Sequence, residues 1–197
     1  MAPMERSAEV SASLQAVREA MSSAGLDWLV LSDHTNVAWL AGGGRSYVSP
    51  AFEQGAGRVI VSTEEVILLT SNIEARRMAA EEFAGVPWRV VAHPWWEGPA
   101  GTLRHMIPAG RRAGVDVPLP WLPDAVPIGG EIARLRVHLS QAAQERARAL
   151  GRVVGDAMAS VAHQVQPGES EHEIAARLGG ALLAQGADVP TCLVAVD

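Results

Sequence analysis

Apolar and polar positions alternate along this chain in two distinct rhythms, and the rhythm changes where glycine or proline intervenes. From Ala8 to Ser23 the residues Val10, Leu14, Val17 and Met21 fall four, three and four apart, which lines one face of a helix with apolar side chains. Gly25 ends that pattern. The run Asp27 to Ser32 then reads as a buried strand, and Asp33 to Asn36 as a loop into a short apolar segment, Val37 to Ala41, broken by the turn Gly42 to Gly44. Gly57 to Ser62 and Val66 to Thr70, parted by Thr63-Glu64-Glu65, predict a hairpin. Asn72 is placed to cap a helix over Ile73 to Glu82. Strands over Val86 to Ala92 and Ala113 to Val117 flank a short helix, Thr102 to Met106, that Pro108 closes.

The rhythm then lapses. Pro118 to Gly130 holds four prolines and two glycines, the composition of a linker. Beyond it, Glu131 to Leu139 reads as helical. Ser140 can cap a longer helix reaching about Val165, with Leu150, Val153, Val154, Ala157, Met158 and Val161 on its buried face. Pro167-Gly168 breaks it. Ser170 with Glu173 has the spacing of a reciprocal cap, so a helix is expected to start at Glu171 and leave through Gly186, before a strand over Thr191 to Val196. Strands and helices in alternation predict an α/β first domain over residues 1–130, with the linker at about 118–130, and a second domain beginning at 131 and running to 197.

Composition narrows the function. At 197 residues and 48% apolar content the chain can bury one substantial core or two small ones. A net charge of -6, with arginines scattered among acids, lacks the basic stripe of a nucleic-acid binder. A single cysteine, Cys192, forbids an internal disulfide and a cysteine-based zinc cage, and suits a reducing cytoplasm. No apolar run approaches a membrane span, and the first residues show no secretory leader.

Candidate chemistry is sparse. His34, His93, His105, His138, His163 and His172 include no helical pair of ligand spacing, and H-E-x-x-H is absent. Glu173, beside His172, is already committed to the cap. Gly42 to Gly44 is not followed by the Lys-Ser/Thr pair of a phosphate loop. No nucleophile elbow favours any serine, and Asp197 stands alone at a strand end. Asn36, Trp39, Arg45 and Tyr47 gather around the glycine turn, and Trp95-Trp96 forms a second aromatic group; either set can mark a binding surface or close the edge of the core.

The order of these motifs resembles a known family. Asp27-Trp-Leu-Val-Leu-Ser32, Asn36-Val-Ala-Trp-Leu-Ala-Gly-Gly43 and Leu68-Leu-Thr-Ser-Asn-Ile-Glu-Ala-Arg76 are similar to the N-terminal domain of creatinase and Xaa-Pro aminopeptidase (aminopeptidase P) relatives. Gln166-Pro-Gly-Glu-Ser-Glu171, Glu173-Ile-Ala175, Gly186-Ala187 and Leu193-Val-Ala-Val-Asp197 resemble the start of the same family's pita-bread catalytic domain. Ser140-Gln-Ala-Ala143 lacks the acid that relatives carry after the capping residue. The resemblance implies a ribonuclease-H-like α/β domain, a mixed sheet flanked by helices, followed by an incomplete α+β pita-bread domain. It also implies two divalent metals (manganese, cobalt or zinc) whose Asp, His and Glu ligands lie past the strand at which this chain ends, so Asp197 takes no ligand role.

Two expectations follow from the resemblance. One is an N-terminal portion or truncated member of a dinuclear hydrolase of peptides or small amides, inactive as this chain. The other is a non-catalytic binding or dimerisation module. Family members resemble homodimers in which one subunit's N-terminal domain overhangs the other's site, which makes Arg45, Tyr47 and Glu53 the candidate contacts to a neighbouring subunit. No catalytic, cofactor or metal residue is assigned to this chain, and no nucleic-acid or membrane partner is expected.

Overall fold

The computed structural model describes residues 3–49 and 51–196, so Asp197 lies outside the described residues. The chain forms two compact units, Met1–Leu139 and Ser140–Asp197.

The first unit is a six-stranded sheet of β1 (Trp28–Asp33), β2 (Gln54–Ser62), β3 (Val66–Ser71), β4 (Arg89–His93), β5 (Ala113–Val115) and β6 (Val126–Pro127), in the order β4-β3-β2-β1-β5-β6. The β2 strand alone runs against the others: it is antiparallel to β1 and β3, while β1-β5, β5-β6 and β3-β4 pair in parallel. Because side chains alternate along each strand, Leu29 and Leu31 face one side and Val30 the other. Helices α1 (Pro3–Ser23), α2 (His34–Leu40) and α5 (Gly129–Leu135) cover the first side, where Val17, Met21, Val37, Leu40 and Ile132 are buried together. On the second side Leu103 of α4 (Ala100–Met106) packs with Ile60, Ile67, Leu69 and Leu119. The stripe Val10, Leu14, Val17 and Met21 of α1 faces inward as its spacing requires.

Several expected elements take another form. Asp33 to Asn36 is no loop: Asp33 caps α2, accepting from the Thr35 amide at 2.7 Å and its hydroxyl at 2.6 Å. Asn72 caps nothing, because its side-chain oxygen accepts from the Trp95 amide at 3.1 Å. The expected helix over 73–82 is only α3 (Ala75–Arg77), which widens into a π-turn at Met78–Glu82, with the Phe83 amide donating to the Met78 carbonyl. The widening accommodates Met78, whose sulfur fits against Gly57 and which is fully buried.

The proline-rich stretch 118–130 contributes to the first unit's core. Leu119 and Ile128 are buried and β6 extends the sheet. The compact units accordingly divide at Leu139, beyond the boundary at 130 read from composition, since α5 buries Ile132 in the first core.

The second unit contains α6 (Gln141–Ala162) and α7 (Glu171–Leu183), with Ala157, Leu182 and Ala187 at their contact. Ser140 caps α6, and Ser170 with Glu173 forms the expected reciprocal cap of α7. The expected strand over 191–196 does not form: the segment has no regular secondary structure and no strand partner among the described residues, and Leu193 is 91% exposed. A β-branched, apolar run gains its ladder bonds only from a neighbouring strand.

Candidate interaction surface at the carboxyl end of the sheet

Pairing registers bring the ends of β1, β3, β4 and β5 and the start of β2 to one edge of the first unit. Asp33 lies opposite Gln54, Gly57 opposite Thr70, and Ser71 opposite His93. The long α2–β2 loop leaves from this edge. Its root is Gly44, at φ +113, where a Cβ would stand 2.8 Å from the Glu82 carbonyl oxygen. Arg6 ties the same place together, donating to the carbonyls of Ala41 (2.9 Å), Gly43 (2.8 Å) and Glu82 (2.6 Å).

The three residues singled out from sequence all sit on this loop. Arg45 is held by Glu82, whose carboxylate accepts from the Arg45 amide at 2.9 Å and its Nε at 3.2 Å while also accepting from Arg77 at 3.0 Å. Tyr47 is half-buried, its ring edge-on to His34 with centroids 4.9 Å apart. The Glu53 side chain is exposed and its carbonyl accepts from the His34 amide at 3.0 Å. Between them Val48 and Phe52 are 72% and 69% exposed. Further along the edge Ile73, Trp95 and Trp96 are exposed too, the two indoles perpendicular at 6.0 Å. His93 is buried, with Nδ1 2.9 Å from the Pro94 carbonyl. Trp39, by contrast, packs against the core.

Beside this surface lies a polar knot that sequence reasoning missed. Asp116, just past β5, is buried and accepts from the amides of Ser32 (2.9 Å), Asp33 (3.0 Å) and Val117 (2.8 Å) and from Asn36 Nδ2 (2.9 Å). Asn36 in turn accepts from Arg136, which donates to Thr35 Oγ1 at 2.8 Å. Burial pushes the Asp116 carboxyl above its ordinary range, against the pull of Asn36 and the three amides. Gly129 closes over it, since a Cβ there would come 2.3 Å from the Asp116 carbonyl oxygen. The only signal in the sequence was an acid near the end of an apolar run.

Among the described residues no three His, Cys, Asp or Glu side chains stand together in a way that could hold a metal ion. The six histidines are not gathered into such a group, and the two implied metals do not fit these residues.

The family model of the Creatinase/Prolidase N-terminal domain matches residues 14–138. This chain belongs to that family. The match spans the whole sheet and α5. The fold is similar to that of an Xaa-Pro dipeptidase from Bacillus anthracis at 17% identity and TM-score 0.64, covering 89% of this chain and 49% of that one. It is also similar to an X-Pro aminopeptidase from Thermotoga maritima (15% identity, TM-score 0.66, 88% and 49% covered) and to a prolidase from Pyrococcus furiosus (16%, 0.66, 87% and 52%). Comparison with curated proteins gives no match. The chain thus spans about half the length of these solved relatives.

Proposed function

We propose that this chain is the N-terminal part of a metal-dependent hydrolase of the Xaa-Pro aminopeptidase and creatinase kind. In this reading it supplies a folded interaction module, and the metal ligands lie elsewhere. The observation that carries the proposal is the family match over 14–138 combined with a fold likeness that takes in about half of each peptidase chain. The second unit, α6 and α7 with the segment after them, is then the beginning of a pita-bread domain, and its unpaired 191–196 run a strand that needs further sheet. The two divalent metals of such an enzyme would activate water for attack on a peptide or small amide. No step of that chemistry is assigned to residues of this chain.

The module's contribution is the loop bearing Arg45, Tyr47 and Glu53, which we place against a neighbouring subunit in a cytoplasmic homodimer. Glu82 and Arg6 fix the loop's root, and Val48 and Phe52 offer apolar contact at its tip. No helix among the described residues is long and apolar enough to cross a membrane. Purified 1–197 is expected to release no product from Xaa-Pro peptides or creatine with added manganese, cobalt or zinc. Metal-dependent turnover that a chelator abolishes would overturn the proposal.

A further inference from the structure

Among the described residues three buried side-chain polar atoms have no hydrogen-bond partner: Ser32 Oγ, Ser46 Oγ and Arg58 Nε. Two of them flank one strand pair: Leu31 pairs with Val59, Ser32 follows Leu31 and Arg58 precedes Val59, at the carboxyl end of β1 where the register shifts before Asp33. Arg58, opposite Leu69, lies on the face of Val30 and Ile60, away from the side that α1 and α2 cover. The Trp121 ring lies over Arg58, its centroid 6.0 Å from the guanidinium carbon.

Orphaned buried donors are costly and rare, and two on adjacent strands call for an explanation. Asp116 is near enough to act on Arg58 electrostatically. Its oxygens, however, are engaged by Ser32 and Asp33 amides, Asn36 and the Val117 amide, and it makes no direct bond to the guanidinium. Arg58 can only donate and the Ser32 hydroxyl is free to donate, so what they suit is an acceptor. A planar carboxylate matches the guanidinium fork. The position has a second, topological reason to bind something. The chain leaves β1 into α2 on one face of the sheet, whereas it leaves β5 into the segment of Leu119 and Trp121 on the other. Neighbouring parallel strands whose continuations part to opposite faces open a crevice at their carboxyl ends, where α/β sheets hold ligands.

We propose that Ser32 and Arg58, walled by Trp121, form a binding site for a small carboxylate, which accepts hydrogen bonds from the guanidinium and the serine hydroxyl. The site goes beyond the hydrolase reading and does not depend on it. The carboxylate can belong to a free acid or to the C-terminus of a peptide.

Thermal melts of the full chain at constant ionic strength test the site with sodium acetate, acetamide, alanyl-alanine and alanyl-alanine amide. Acetate is expected to raise the melting temperature saturably while acetamide and matched chloride do not. Arg58→Met, which keeps bulk but no donor, weakens that response at least about tenfold, and Ser32→Ala weakens it less. A stronger response to alanyl-alanine than to acetate, lost in its amide, identifies a peptide C-terminus; an equal one identifies the free acid. A wild-type melt indifferent to saturating acetate, or a response that survives in Arg58→Met, overturns the proposal. Should Arg58→Met not fold, proton–nitrogen correlation spectra of the wild type decide. The Arg58 Nε–H resonance moves on titration with acetate, and one that stays fixed at saturation refutes the site.

Discussion

Asp116 shows how much one buried side chain organises at the carboxyl end of the sheet. It collects three backbone amides and Asn36, and through Asn36 and Arg136 it joins β1, α2 and the end of α5. Asp116→Ala would leave those donors without an acceptor and is expected to cost on the order of 3 kcal/mol in chemical denaturation. Its titration has a definite sign. Burial raises the folded pKa, so from about pH 4 upward the unfolded chain releases its proton before the folded one. The wild type's margin over Asp116→Asn, which does not titrate, should therefore shrink as pH rises through the folded pKa. A margin that widens across that window would mean the four donated bonds outweigh burial. None of this was legible from the sequence, which offered Asp116 only as one residue of an expected strand; apart from the adjacent Val117 amide, its donors lie 80 and more positions away.

The elements that carry the surface were read unevenly, for reasons that are local. Capping pairs such as Ser170 with Glu173 lie three residues apart and are visible in any sequence. Asn72 offered an equally good local signal, but the tertiary contact with Trp95 claimed its side chain. Likewise α2 was hidden because Asp33, a good cap, is followed by polar residues, and Asn36 is buried with distant partners, Asp116 and Arg136. The α2–β2 loop depends on Glu82, 37 positions from Arg45. Glu82→Ala should speed exchange of the Arg45 amide by about fivefold or more, corresponding to about 1–3 kcal/mol of lost local protection, and leave β1 and β3 amides unchanged. Unchanged exchange at Arg45 would show that Arg6 alone fixes the loop's root.

At the scale of the molecule the two units differ in how much they bury. The first encloses a sheet between two apolar layers, whereas the second has Ala157, Leu182 and Ala187 at its centre and leaves Leu150, Met158, Leu183 and Leu193 exposed. Amide protection measured by hydrogen exchange is expected to be lower over 140–196 than over the strands of the first unit. Equal protection would contradict a two-helix core as the weaker one. By itself the sequence determined the fold class, most strand and helix positions, the hairpin and the caps of α6 and α7, because these follow from periodicity and from bonds a few residues long. Its motif order also led to the family. Only the tertiary structure decided that the proline-rich stretch is an edge of the sheet, that the last apolar run has no partner strand among the described residues, and that Asp116 accepts from Ser32 and lies near Arg58. Each depends on segments far apart in the chain being brought together, and a strand pairing or a buried polar contact exists only once its distant partner is in place.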